Sequence, residues 1–343
     1  EQKDLLTDAA SLLDSVDAQI AAQFDVQRKR AEIYRKLGDD APSHAFNDSL
    51  LAADPENQNA RFSRAFRFLN AGDWAQGAAD YDLRPAKQKT NLRQLASRVA
   101  AQNEALDVLA APGRVLVWGE QALGDQLLMF KVLREAIAQA RPAGEVYFAV
   151  DSGLEALFRR SADGLRVIRH DDARHEHFDA AVFAFDLVFA LGWTPDSVIP
   201  ERQMLTPDPD LVATWGRELQ RRRPGKTFIG VMWGGSRAFK GDARRAIPPE
   251  AFRGFANIPG ITLVNAMYRS EGDVGGGADV LKIGEELPGF DNVAAVLANC
   301  AHVVSCDSGA GVLSGAIGVP THFMTMEPPY WLWGNRDGPS KWF

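Results

Sequence analysis

Residues 301–320, AHVVSCDSGAGVLSGAIGVP, limit what this chain can fold into more than any other stretch. The short apolar run from His302 to Cys306 reads as a buried parallel strand; it breaks at Asp307-Ser308-Gly309 and resumes as a small-residue helix over 310–317. A strand, a tight polar turn and a helix N-terminus follow one another directly. Backbone amides at such a helix start carry partial positive charge and receive a phosphate or carboxylate, while Asp307 and Ser308 offer side chains to hydroxyls beside it. Asp and Ser also cap ordinary helices, so the motif by itself leaves both readings open.

A chain of 343 residues is too long for one ordinary core, and two or three domains are expected. Its 46% hydrophobic and 24% charged content is that of a soluble globular protein. The formal charge of -7 argues against a nucleic-acid partner. The densest basic run, Arg221-Arg222-Arg223 with Lys226, sits beside Pro224-Gly225 and reads as an exposed linker. Cys300 and Cys306 lack both a disulfide framework and zinc-site partners, which points to a reducing, cytoplasmic setting. No apolar run approaches the ~18 residues of a membrane span, and no signal-peptide pattern is visible. A start at Glu1 rather than Met is what a trimmed chain would show.

Residues 1–108 show almost no strand signal and read as all-helical. Gly38 and Gly72, Asp39 and Asp73, and Ala45 and Ala79 share one offset of 34 residues, the tetratricopeptide period. Glycine permits the tight turn between paired helices, the small Ala lets them pack closely, and Asp54-Pro55 separates one pair from the next. Two such units are fewer than the roughly three a free solenoid needs, so another segment must cover an end. Stacked hairpins of this kind present a concave face that binds protein segments.

From Pro112-Gly113 onward the pattern alternates. Residues 114–119 read as a buried strand, Glu120 to Gln126 as a polar turn and 127–140 as a helix; further strands are expected at 145–150, 165–168 and 180–185. The first turn holds only Gly119 and Gly124, which excludes the three-glycine dinucleotide fingerprint. A punctuated connection over 200–225, with a short helix at 211–219, leads to a second series with strands at 228–233, 261–266, 280–283, 302–306 and 321–325 and a helix at 292–299. The glycine-rich 271–277 reads as a mobile surface loop, and the histidines of 170–177 as an exposed one rather than a metal site. Trp233 reads as core. Ligands of such sheets bind at the carboxyl ends of strands, so the turns at 120–125, 236–240 and 307–311 are the candidate site.

These turns carry a resemblance. Trp233-Gly234-Gly235-Ser236 followed by Lys240, Asp242, Arg245 and Ile247-Pro248 is similar to the W-x-G-N/S…K-x-D-x-x-R-x-I-P pattern of family 9 glycosyltransferases, the heptosyltransferase relatives. Glu120-Gln121 with Leu123-Gly124-Asp125 resembles their E-Q-G-L-G-D turn, and 305–320 their S-V-D-T-S-x-A-H-L-A-G-A-L-G-x-P segment, so 114–337 is covered in order. Tetratricopeptide repeats ahead of this domain are shared in outline with protein O-GlcNAc transferases, and some bacterial members of that broad class modify flagellin.

The resemblance implies a GT-B fold, two Rossmann-like α/β domains facing across a cleft, that works without a metal or resident cofactor. The expected domains are a helical 1–110, an acceptor-side 111–205 and a donor-side 206–343. The expected activity moves a sugar from a nucleotide donor to a hydroxyl, with a protein such as flagellin held by the repeats. CMP, UDP, GDP and ADP all remain open as the nucleotide. A lipopolysaccharide-type acceptor is one alternative, and a non-catalytic binding module that keeps the fold is another. Asp125 matches the family's proposed base, with Glu120 in reserve. Lys240, Ser236, Arg245 and the turn Asp307, Ser308, Gly309, Ala310, Gly311 match the donor side, where cation and amides stabilise the departing phosphate. Asp125 also fits a helix cap, Lys240 a solvated lysine, and Arg245 a surface pair with Asp242. One departure stands out: the family's His is Val312 here. The tryptophan-rich 331–342 matches the tail of relatives, but their last crossover helix is missing, as expected of a truncated or disordered end.

Overall fold

The computed structural model describes residues 2–21, 23–162, 164–235, 242–334 and 338–343. It divides into two compact units, Glu1–Gln88 with Met326–Asn335, and Lys89–Thr325 with Arg336–Phe343.

The first unit is built from helices α1 (Gln2–Asp14), α2 (Ala18–Ala21), α3 (Phe24–Leu37), α4 (Ala41–Ala53), α5 (Gln58–Asn70) and α6 (Trp74–Tyr81), with α7 (Pro85–Lys89) at its boundary. Its repeat is visible in the turns. Gly38 (φ 93°) ends α3 and Gly72 (φ 82°) follows α5, both in the left-handed region that glycine enters without a Cβ penalty. The following aspartate amide returns to the helix each time, Asp39 to the Tyr34 carbonyl at 2.9 Å and Asp73 to that of Phe68 at 2.8 Å. Helix pairs α3/α4 and α5/α6 therefore recur with the same offset of 34 residues between Gly38 and Gly72. The close contact within the second pair is not at Ala79, which is exposed like Ala45, but at Gly77, where a Cβ would lie 2.6 Å from Leu69 Cδ2. Asp80 is buried on α6 and accepts Nε bonds from Arg64 (2.7 Å) and Arg61 (3.0 Å) of α5. Segment 326–334 completes this unit: Trp331, 1% exposed, sets its ring 5.7 Å from that of Trp74 and 5.3 Å from that of Tyr81.

The second unit contains two five-stranded sheets. The first has β1 (Ala96–Val99), β2 (Arg114–Trp118), β3 (Glu145–Val150), β4 (Arg166–Arg169) and β5 (Phe178–Phe183) in the order β1-β5-β2-β3-β4. The second has β6 (Thr227–Met232), β7 (Ile261–Asn265), β8 (Val280–Lys282), β9 (His302–Cys306) and β10 (Thr321–Met324) in the order β10-β9-β6-β7-β8. All their pairings are parallel, as crossover helices require. Those helices are α8 (Ala105–Leu109), α9 (Leu123–Ala140), α10 (Glu155–Ser161), α11 (His170–Ala173) and α12 (Ala184–Ala190), then α13 (Pro209–Arg222), α14 (Asp242–Arg245), α15 (Arg253–Ala256), α16 (Phe290–Leu297) and α17 (Gly309–Ala316). Two parallel sheets flanked by helices agree with a GT-B-like α/β arrangement.

Three expectations change. β1 falls inside the stretch read as all-helical; it is a short edge strand whose backbone pairs with β5, far away in sequence. The strand expected at 180–185 is β5, shifted to Phe178–Phe183, with α12 continuing the same apolar run. The basic run belongs to α13 and its end rather than to a linker: Arg221 pairs with Glu218, Arg222 with Glu286 at 2.6 Å and Arg223 with Asp279 at 2.6 Å. Among the described residues no helix is long and apolar enough to cross a membrane.

Truncating Trp331 empties a buried aromatic site in the first unit. Trp331→Ala should cost about 3–5 kcal/mol of that unit's stability in urea titration and raise amide exchange in α5 and α6. Unchanged protection there contradicts this packing.

Candidate functional site

In the second sheet β6 and β9 are neighbours, with Met232 opposite Ser305. Their carboxyl ends therefore place the turn at 233–235 beside the turn at 307–309. Arg245, at the end of α14, joins the two: its Nη1 donates to the Asp307 carbonyl at 2.6 Å. Its guanidinium lies over Gly235, where a Cβ would come within 2.1 Å of Nη2, so this approach requires glycine. Trp233 is core, as expected. It is buried beside Phe252 (ring centroids 5.9 Å apart), and its indole N–H donates to the Glu271 carbonyl at 2.8 Å.

That last bond, with others, fixes the glycine-rich loop, which the sequence presented as mobile. Val274 is fully buried, Arg253 Nε donates to its carbonyl at 3.3 Å, and Lys282 Nζ donates to the Gly272 carbonyl at 2.9 Å. The loop is an anchored segment beyond the end of β7.

At α17 the two readings of the turn divide by residue. Ser308 is buried and acts as the N-cap, its Oγ accepting from the Gly311 amide at 3.2 Å and lying 3.1 Å from Ser305 Oγ. The Ser308 hydroxyl and the Gly311 amide, both expected on the donor, are thus engaged in the cap. Gly311 serves packing as well, since a Cβ there would meet Ser305 Oγ at 2.5 Å and Phe323 at 2.7 Å. Gly309 and Ala310 are half-buried in the first turn, with Asp307 just ahead of them.

On the first sheet the β2–α9 turn is equally constrained. Glu120 is 3% exposed, and its Oε1 accepts from the Phe185 amide in the first turn of α12 at 3.2 Å. Gln121 holds a φ of 66°, unusual for a residue with a side chain. Asp125 is half-buried, and its Oδ2 reaches back to the Ala122 amide at 3.0 Å, the carboxylate half of a capping box. Gln126 Oε1 accepts from the Asp151 amide at 2.9 Å, tying α9 to the end of β3.

His170 departs from expectation. It directly follows the carboxyl end of β4 and is half-buried, its Nε2 2.7 Å from the Gly119 carbonyl oxygen and its ring 4.3 Å from that of Trp118. Burial pushes the imidazole below its usual range, against the opposing effect of the Gly119 bond. His175 and His177 remain exposed, as expected. Among the described residues no cluster of three or more His, Cys, Asp or Glu side chains could hold a metal.

The two turns meet at glycine. A Cβ built on Gly124 would lie 3.3 Å from the Gly309 Cα and 3.5 Å from Val312 Cγ2, so the N-termini of α9 and α17 are in contact. Val312, 3% exposed, packs at this junction. Arg160 of α10 reaches across to the second half, pairing with Asp291 of α16 and donating from Nε to the Thr206 carbonyl at 3.1 Å. Asp125 thus follows Gly124 at the contact with Gly309, Arg245 binds the carbonyl of Asp307 two residues ahead of Gly309, and Glu120 is buried against the start of α12. Ser236 and Lys240 lie outside the described residues, as does the side chain of Asp242.

No family model matches this chain. Among curated proteins it resembles Protein FlbA of Caulobacter vibrioides, with 25% identity over 345 residues, 84% of this chain and 58% of FlbA. The chain therefore spans less than two thirds of that relative's length. Solved structures similar to it include the ADP-heptose lps heptosyltransferase II of E. coli, at 13% identity and a TM-score of 0.43, covering 61% of this chain and 84% of that one. A glycosyl transferase family 9 protein of Veillonella parvula matches at 14% identity and a TM-score of 0.44, covering 67% of this chain and 85% of the other.

The glycines of α17 separate packing from ligand contact. Gly311→Ala should destabilise the protein by about 1–3 kcal/mol in urea titration, because its Cβ meets fixed atoms. Gly309→Ala, whose Cβ finds only ordinary contacts of 3.4 Å and beyond, should cost less than about 1 kcal/mol by the same measurement. Equal costs contradict the assignment.

Proposed function

We propose that this chain is a nucleotide-sugar-dependent glycosyltransferase that moves a sugar onto a hydroxyl. The observation that carries this reading is the contact of two helix N-termini, α9 and α17, at Gly124 and Gly309, with the Asp125 carboxylate in the first turn of α9 and Arg245 bonded to the Asp307 carbonyl just ahead of α17. Two helix starts and a guanidinium converge positive potential on one spot, which suits a nucleotide phosphate. The carboxyl ends of two parallel sheets are where such a ligand is expected. The strand–turn–helix motifs at 120–125 and 305–320 and the turn at 233–235 lie at these ends, in the order that the family 9 resemblance implies.

In this reading Asp125 takes the proton of the acceptor hydroxyl as its oxygen bonds to the sugar's anomeric carbon. The bond from that carbon to the phosphate oxygen breaks, and the charge left on phosphate meets the Gly309 and Ala310 amides, Arg245 and, by its place in the motif, Lys240. No protein group in this scheme requires a metal. The first sheet then carries the acceptor side and the second the donor side. The 34-residue repeat of the first unit, with like turns at Gly38 and Gly72, supports a tetratricopeptide-like unit that holds a protein acceptor, with flagellin the leading candidate.

Calorimetry with CMP, UDP, GDP and ADP tests the donor site. One nucleotide should bind with a micromolar Kd and lose about tenfold or more in Arg245→Ala and in Lys240→Ala, the scale of a lost charge-assisted phosphate contact. Asp125→Asn keeps an oxygen for the Ala122 amide while removing the base. It should leave stability within about 1 kcal/mol and cut turnover about 10²–10⁴-fold. A second reading, a nucleotide-binding module without catalysis, is favoured by Val312 at the junction. It predicts nucleotide binding with no turnover in the unaltered chain.

A further inference from the structure

His170 offers an inference that rests on the glycosyl-transfer reading and adds a residue to it. The chain has six histidines, and His170 is the one that directly follows the carboxyl end of a strand. In the strand order β2-β3-β4 its side chain reaches from the end of β4 past the end of β3 to the residue after β2. There the parallel ladder runs out. The Gly119 amide still bonds to the Ala149 carbonyl of β3 at 2.8 Å, but the Gly119 carbonyl points beyond the ladder and receives His170 Nε2 at 2.7 Å. A carbonyl only accepts, so Nε2 carries the proton, and in the neutral ring this selects the Nε2–H tautomer. The imidazole is held for that bond by the Trp118 ring, 4.3 Å away and tilted by 33°.

Gly119 is the pivot of the turn. A Cβ there would lie 2.7 Å from the Ala149 carbonyl oxygen, so the backbone passes close to β3 and then turns through Gln121 at a φ of 66° into α9. The next residue, Glu120, is locked onto the start of α12, and Asp125 follows in the first turn of α9. A peptide group fixed at Gly119 therefore fixes the direction in which the chain leaves β2 and the place at which Asp125 arrives.

We propose that His170 is a positioning residue for the transferase chemistry: its Nε2–H holds the Gly119 carbonyl and so sets the β2–α9 turn that presents Glu120 and Asp125. His170 acts through the backbone of Gly119.

The design needs two variants with opposite consequences. His170→Phe keeps an aromatic ring on Trp118 and removes the donor; His170→Gln keeps an N–H donor and removes the ring. Turnover is read as nucleotide release from the sugar nucleotide whose base gives the tightest calorimetric binding among CMP, UDP, GDP and ADP. His170→Phe should melt within about 3 °C of the unaltered protein, keep its donor KM within about twofold, and lose about tenfold or more in kcat, as expected when an interaction made in the transition state is lost. His170→Gln should recover at least half of that loss on a logarithmic scale. In the unaltered protein, imidazole ¹⁵N spectra should show the neutral Nε2–H tautomer at neutral pH, and amide exchange in 119–125 should rise in His170→Phe alone. A folded His170→Phe with unchanged kcat and unchanged exchange overturns the proposal. If the unaltered chain shows no turnover with any donor, the transferase reading fails; tautomer and exchange then still decide whether His170 holds the turn.

Discussion

The candidate site depends on one electrostatic constraint: two helix N-termini, those of α9 and α17, meet where Gly124 lies against Gly309. Each helix start bears partial positive charge on unpaired amides, so bringing two together is unfavourable unless negative charge lies nearby. The protein offsets part of this locally. Asp125 places a carboxylate in the first turn of α9, and Asp307 stands just before α17. Such carboxylates contribute about 0.3–1 kcal/mol each at a helix start. Arg245 adds positive charge at the same place, through its bond to the Asp307 carbonyl. A junction so arranged favours an anion, and glycine at both contact positions lets the two backbones approach, with Val312 and Phe290 alongside.

Around this contact the protein fixes its groups through backbone rather than through solvent-exposed pairs. The register of β6 against β9 sets Gly235 beside Asp307, and the missing Cβ of Gly235 makes room for the guanidinium. Trp233 holds the glycine-rich loop through Glu271, and Val274 buries that loop's middle. On the opposite half, Glu120, Gln126 and His170 each bind a backbone group at a strand end or helix start. Polar groups held in this way need little reorganisation when a charge develops near them.

Much of this was legible from sequence, for identifiable reasons. The strands β2, β3, β6, β7, β8, β9 and β10 are apolar runs bounded by Gly, Pro or polar turns, and their positions can be read directly. β1 is not legible: Ala96-Ser97-Arg98-Val99 carries no strand pattern of its own and exists through its pairing with β5. The boundary of β5 is hidden because FDAAVF runs straight into the equally apolar AFDLVFA of α12. Gly38 and Gly72 end their helices in like turns, yet the tight helix contact falls on Gly77, because which face of α6 meets α5 is a tertiary matter. At the site, the turns were visible as motifs. The contacts that give them meaning were not: Arg245 to Asp307, His170 to Gly119 and Gly124 to Gly309 all join residues far apart in sequence. His170 looked like part of a charged loop because its strand, Arg166–Arg169, has charge at both ends and only Val167 and Ile168 buried.

In the proposed mechanism the α9–α17 junction receives the phosphate of a nucleotide. Backbone amide shifts in a ¹H–¹⁵N spectrum report on it most directly, followed as ADP, UDP, GDP or CMP is added to the intact chain. At least one nucleotide should shift the Gly309 and Ala310 amides, together with Gly124, while the capped Gly311 amide moves less. Saturable shifts that leave 309 and 310 untouched, or none with any of the four nucleotides, would contradict it.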